Sequence, residues 1–186
     1  MNDPSKISNL NLDEIIRLHD EIINKSGGEH GLLNLGSLEF ALDFIQGEVI
    51  RTGTVDVFEL AARIARGIIQ DHPFVDGNKR TGMESSKLFL EKNGYRFVAE
   101  LGEAIDFALR VAKAELKLES LREWFRDHSE NIYKVGEGMA EYSYGETMDD
   151  KQGPAKRKYN ISEESERMIV AMVKRDLEFL KELAKY

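Results

Sequence analysis

Cysteine is absent from the 186 residues, which excludes disulfides, thiolate metal sites and cysteine nucleophiles. Long apolar runs are absent too. No stretch approaches the roughly 20 residues needed to span a bilayer, and nothing with the layout of a signal peptide precedes the first amphipathic stretch. A soluble, cytoplasmic protein with no membrane association is therefore expected. Positive charge is in deficit: 26 Lys and Arg against 34 Asp and Glu leave a net charge of −8. That balance argues against direct nucleic-acid binding as the main role, though not against a nucleotide in a local cationic pocket. Histidine is scarce, at four residues, and no internal repeat or low-complexity tract is visible. What the chain does have is apolar content, 41%, ample for the core of one domain plus an appendage.

Helical periodicity dominates. Ser8 or Asn11 caps a first helix whose stripe is Leu12, Ile15, Ile16, Leu18, Ile22 and Ile23, and Ser26-Gly27-Gly28 stops it. A second helix is expected from Ser37 to about Ile50, followed by an extended piece over Arg51 to Asp56 that is either a small strand or a loop. Val57 to Asp71 is the clearest helix, with Leu60, Ala61, Ile64, Ala65 and Ile68 at helical spacing. A fourth runs to about Lys92 and ends at Asn93-Gly94; Tyr95 to Val98 reads as extended. Two more helices are expected, Gly102 to Ala114 and Glu119 to His128. The fold class is thus all-α, a compact helical bundle with little or no sheet. Residues 1–130 form the domain, the Gly-rich polar run 131–160 is a linker, and 161–186 is an amphipathic helix capped by Ser162.

The chain is organised around Asp71-His72-Pro73-Phe74-Val75-Asp76-Gly77-Asn78-Lys79-Arg80-Thr81-Gly82. Pro73 disfavours helix at His72, so one helix stops there. Gly77 permits a tight turn before the next. Lys79 and Arg80 then fall at a helix start, where positive charge opposes the macrodipole. A phosphate-rich ligand at that end reverses the sign of the cost.

The residue chemistry matches transfer of a phosphate group to a hydroxyl. His72 is the general base, with a pKa near neutrality. Asp76 offers the hard oxygen that Mg²⁺ prefers. Backbone N–H groups around Gly77 to Arg80 form an anion nest, with Asn78, Lys79 and Arg80 as side-chain donors. Thr81 is either a phosphate-facing hydroxyl or a simple helix-start residue. Phe74 reads as a packing anchor. His19, His30 and His128 are read as structural, His19 partly buried and hydrogen-bonded and the others exposed. A metal phosphohydrolase, prompted by His19-Asp20 and Asp71-His72, needs more converging His and Asp ligands than four histidines supply. A non-catalytic interaction module would not need both base and metal ligand.

His72, Phe74, Asp76, Gly77, Asn78, Lys79 and Arg80 resemble the signature loop of the Fic/Doc (Fido) family, His-x-Phe-x-Asp/Glu-Gly-Asn-Gly/Lys-Arg. Lys79 in place of Gly, together with Leu18-His19-Asp20 and Phe58-Glu59-Leu60, is similar to the death-on-curing (Doc) branch. The resemblance covers roughly residues 8–130. It implies a Fic/Doc-type helical bundle that uses ATP, or another nucleoside triphosphate, with Mg²⁺. The implied reaction modifies a Ser, Thr or Tyr hydroxyl on a protein, as a toxin-type activity against translation held in check by an antitoxin. Phosphoryl transfer is expected, because Lys79 fills the space that Gly leaves in AMP-transferring members. The alternative is AMP transfer. A second Arg, usual in Fic enzymes three residues after the first, is replaced here by Met83. Some members carry an inhibitory helix with a Ser/Thr-x-x-x-Glu-Gly/Asn motif. Ser162 to Glu166 fits its first part, but Arg167 departs from it and Met83 leaves the Glu without its partner. The C-terminal helix is therefore expected to dimerise or to pack on the domain.

Overall fold

In the computed structural model, which describes residues 7–40, 42, 56–132 and 159–186, the best-buried helix is not the most apolar one. It is α3 (Asn78–Lys92), with Arg80 to Leu90 buried without a break. Small residues make that possible. A Cβ on Gly82 would meet Ile69 Cγ1 at 2.6 Å and the Ala65 carbonyl at 3.1 Å, so this glycine sets how closely α2 (Val57–Asp71) approaches. Ser86 hides its hydroxyl by donating to Ala61 O at 2.8 Å and to Gly82 O at 3.0 Å.

Around α3 pack α1 (Leu12–Ser26), α2 and α4 (Leu101–Ala112), with α5 (Leu118–Asp127) against α2. The first helix starts as its sequence dictates: Asn11 and Glu14 exchange side-chain hydrogen bonds with each other's backbone N–H at 2.9 Å, a capping box. Asp56 caps α2 through Phe58 and Glu59 N–H. Leu38 and Leu42 are buried in a helical segment that opens at residue 35. The remainder of the expected second helix, the stretch 51–55 and residues 133–158 of the expected linker lie outside the described residues.

Two outcomes refine the all-helical expectation. Tyr95–Phe97 is a strand, β1, and it pairs antiparallel with β2 (Ser129–Asn131), with Arg96 opposite Glu130. The pairing ties the end of α5 to the turn after α3, and Ile132 N–H adds a bond to Gly94 O at 2.9 Å. The C-terminal helix is also two helices, α6 (Glu163–Arg175) and α7 (Leu177–Leu183), broken at Asp176. Their apolar faces join the same core: Ile169, Met172, Val173, Phe179, Leu180 and Leu183 are all buried. Charged groups pin the seam. Arg17 Nη2 meets Glu166 Oε1 at 2.6 Å, and Lys87 Nζ meets Asp176 Oδ2 at 3.1 Å. Packing on the domain, one of the two expected fates of this segment, is what the described residues show.

Candidate active site

α2 ends because His72 cannot stay right-handed before Pro73. It adopts the left-handed region instead, φ 48° and ψ 56°, a conformation costly for a non-glycine residue. That reversal puts His72 at the surface, at the end of a helix whose opposite face is locked in the core.

The chain then runs beside the loop that follows α1. Pro73 O accepts from Leu33 N–H at 2.7 Å and Asn34 N–H at 3.1 Å, Leu32 bridges Phe74, and Val75 N–H donates to Gly31 O at 2.9 Å. Phe74 is buried and lies flat on His19, with ring centroids 4.0 Å apart and planes 6° from parallel. Gly77, at φ 74°, turns the chain into α3. A Cβ there would come within 2.9 Å of Ile23 Cδ1. No side chain caps α3, so its first-turn N–H groups face outward for a ligand to take.

Asp76 sits at the mouth, its side chain 47% exposed. Gly77 N–H and Arg80 Nη2 reach Oδ1, the latter at 3.2 Å, and Glu29 N–H reaches Oδ2 at 3.4 Å. Partial burial pushes this carboxyl up, but the N–H donors and the Arg80 guanidinium outweigh it and hold the pKa below the usual aspartate value. Asp76 is therefore ionised at neutral pH, the state a divalent cation requires. His72, Asp76, Gly77 and Lys79 line a cleft of about 190 Å³. Leu183 and Tyr186, from the far end of the chain, line it with them. Among the described residues Lys79 has no ion pair or hydrogen bond, which leaves its charge free for an anion.

Three of the expected ligand donors differ in how they are placed: Asn78 and Arg80 line the cleft with side chains already bonded within the protein, and Thr81 lies off it. Asn78 uses its side-chain amide on the backbone of Phe74. Arg80 spends Nη1 on Ser26 Oγ at 2.8 Å and Gly27 O at 2.6 Å, and Nη2 on Asp76. Thr81 is fully buried one turn into α3, its hydroxyl unpartnered and off the cleft wall. The bonds of Asn78 and Arg80 fix the shape of the cleft wall they belong to. His72, Asp76, Gly77 and Lys79 line the cleft with them.

Sequence reasoning missed His19 and the 26–31 turn as parts of the site. His19 Nε2 meets Asp76 O at 3.1 Å across 57 positions of sequence. Ser26-Gly27-Gly28 read only as a helix stop, yet it receives Arg80. His30 is exposed as expected, whereas His128 is partly buried, with Nδ1 2.8 Å from Trp124 O. Of the two pairs that prompted the phosphohydrolase alternative, Asp71 and His72 join no cluster of potential metal ligands among the described residues, whereas His19 and Asp20 stand with His30, their ligand atoms within 4.8 Å of one another.

A helical domain that presents a histidine and a glycine-turned, cation-bearing helix start on one cleft matches the Fic/DOC family model over residues 9–90. The chain belongs to the Fic/DOC family. It is also 32% identical over 114 residues to the protein kinase doc of Escherichia phage P1, an alignment covering 61% of this chain and 90% of that protein. No described helix is long and apolar enough to cross a membrane.

Proposed function

We propose that the protein is a Mg²⁺-dependent protein kinase, moving the γ-phosphoryl group of ATP, or another nucleoside triphosphate, to a Ser, Thr or Tyr hydroxyl of a target protein. The observation that carries this reading is Lys79: a cation with no ion pair among the described residues, on an uncapped helix start, sharing one cleft with His72. Met83, where a second phosphate-gripping arginine would stand, is fully buried and offers no charge for the far end of a triphosphate held the other way round. The likeness to a kinase from phage P1 supports the same direction of transfer.

The residues then divide the work. The His72 imidazole takes the proton of the attacking hydroxyl as its oxygen bonds to the γ-phosphorus and the bridge to ADP breaks. First-turn N–H groups of α3 and the Lys79 ammonium bind the phosphoryl oxygens, where charge accumulates. Asp76, ionised and half-exposed, would hold Mg²⁺, which supplies charge neutralisation on the phosphates. Arg80 keeps that carboxylate oriented. As the resemblance implies, the activity is a toxin-type one against translation in the cytoplasm, with an antitoxin as binding partner.

Parallel incubation of protein and extract with γ-labelled and α-labelled ATP tests this. Label should reach protein from the γ position only, and His72→Ala should lower it by about 10²–10⁴ at an unchanged melting temperature. Label from the α position alone would make the enzyme an AMP transferase instead.

A further inference from the structure

Independent of the kinase reading, three side chains outside the cleft lining bring potential metal-ligand atoms within 4.8 Å of one another. His19 Nε2 lies 3.1 Å from the carbonyl oxygen of Asp76, a group that only accepts, so Nε2 carries the proton. In the neutral ring Nδ1 is then bare, and it lies 3.3 Å from Asp20 Oδ1. His30 repeats the arrangement. Its Nε2 faces Asn24 Oδ1 at 3.1 Å, and its Nδ1 lies 3.1 Å from that same Asp20 oxygen. With His30 Nε2 donating to the Asn24 amide oxygen its Nδ1 is bare as well, and two bare nitrogens and a carboxylate oxygen repel one another unless a cation lies among them.

We propose that His19 Nδ1, an Asp20 carboxylate oxygen and His30 Nδ1 form a binding site for a four-coordinate transition-metal ion, Zn²⁺ by preference. The spacing fits. Ligands about 2.0–2.1 Å from a tetrahedral zinc stand roughly 3.3 Å from one another, and the candidate ligand atoms all lie within 4.8 Å. Ionised imidazolium–carboxylate hydrogen bonds are shorter, about 2.7–2.9 Å. Two imidazoles and one carboxylate suit zinc better than magnesium, which takes oxygen ligands almost exclusively. Each ligand also has an outer partner that fixes it: Asp76 O for His19, Asn24 for His30, and the Tyr159 hydroxyl, which donates to Asp20 Oδ2. His30, its side chain 45% exposed, opens the site to solvent, leaving the fourth position for water.

Such an ion has a structural consequence. It joins α1, which carries His19 and Asp20, to the loop that pairs with residues 73–75. Through the His19 N–H it also reaches the carbonyl of Asp76. The zinc is thus a clip behind the catalytic loop, separate from the Mg²⁺ that Asp76 would hold in front.

The test uses the full-length protein, stripped with a chelator and titrated with Zn²⁺ alone by calorimetry, and with Co²⁺ followed by visible absorption. One equivalent should bind, Co²⁺ should give the intense bands of a tetrahedral site, and a large molar excess of Mg²⁺ should not displace Zn²⁺. His30→Ala, at an exposed position that leaves the fold intact, and Asp20→Asn should each weaken Zn²⁺ binding by more than the 10–100-fold typical of outer-shell losses. Absence of a stoichiometric site, equal binding by wild type and His30→Ala, or displacement of Zn²⁺ by equimolar Mg²⁺ would each overturn the proposal.

Discussion

The Asn78 side chain closes on both backbone groups of Phe74: Oδ1 accepts its N–H at 2.9 Å, and Nδ2 donates to its carbonyl at 2.8 Å. Both groups are buried, so neither can fall back on water. Asn78→Ala leaves them unpaired at about 1–3 kcal/mol each, and the turn between His72 and α3 loses its clamp. The expected result is a lower melting temperature and a fall in kcat beyond tenfold, with KM for ATP changed much less. A variant with wild-type kcat would show that the loop holds its shape without this residue.

Gly28 is the tightest point behind Asp76. It sits at φ 122°, and an added Cβ would collide with Asp76 Oδ2 and approach Arg80 Nη2 at 3.0 Å. Gly28→Ala should therefore push the carboxylate out of line and raise the Mg²⁺ concentration needed for half-maximal transfer. Gly102→Ala, where nothing lies within 4 Å, serves as the control. If the Mg²⁺ curve of Gly28→Ala matches that control, Asp76 does not carry the ion.

How much of this was legible depended on range. The stripes of α1 and α2 are local facts, and the structure buries Ile15, Leu18, Ile22, Leu60, Ile64 and Ile68 as their spacing required. His72, Pro73 and Gly77 also announce their turn locally, because a proline that restricts the backbone and a glycine that frees it stand four residues apart. Asp176 shows the limit. The apolar spacing runs smoothly from Met172 to Leu183, and the break comes from a carboxylate drawn to Lys87, 89 positions away. β2 is equally silent: Ser-Glu-Asn has little strand propensity and is extended because β1 offers it a ladder. The inward commitment of Arg80 was hidden for the same reason, since its acceptors belong to the end of α1.

The Glu84–Lys87–Asp176 group makes a pH prediction. Lys87 Nζ lies 2.7 Å from Glu84 Oε1 and 3.1 Å from Asp176 Oδ2, with Glu84 and Lys87 both buried. Burial pushes Glu84 up to about 8, against the attraction of Lys87. Asp176 is raised by burial too, but Lys87 and Arg175 outweigh it and hold it low. At neutral pH the buried group is thus one cation, one anion and one neutral acid. Between about pH 4.5 and 8 the unfolded chain has released the Glu84 proton while the folded chain keeps it, so stability falls as pH rises. Urea unfolding at pH 5.5 and 7.5 should show a decline in wild type that Glu84→Gln lacks. An identical decline in both would assign it to other groups. Lys87→Met leaves Asp176 with Arg175, 3.0 Å away, as its one remaining cation among the described residues and should lower the melting temperature.

The last prediction separates the two duties of the C-terminal segment. Ile169, Met172, Val173, Phe179, Leu180 and Leu183 are buried against the domain, each contributing about 1.5–3 kcal/mol. Their sum rivals the whole stability of an ordinary domain, about 5–15 kcal/mol. A chain cut before Ser162 should therefore aggregate or unfold, not gain activity. The final three residues, Ala184, Lys185 and Tyr186, are exposed, yet Ala184 and Tyr186 stand on the cleft wall beside His72 and Lys79. Ending the chain at Leu183 should leave the melting temperature within about 2 °C of wild type, because little apolar surface is uncovered. It should lower KM for ATP several-fold at constant kcat, since the wall narrows entry without touching the reacting atoms. A soluble, fully folded chain ending before Ser162 would refute the structural duty. An unchanged KM in the shorter trim would show that the terminal residues do not restrict the cleft.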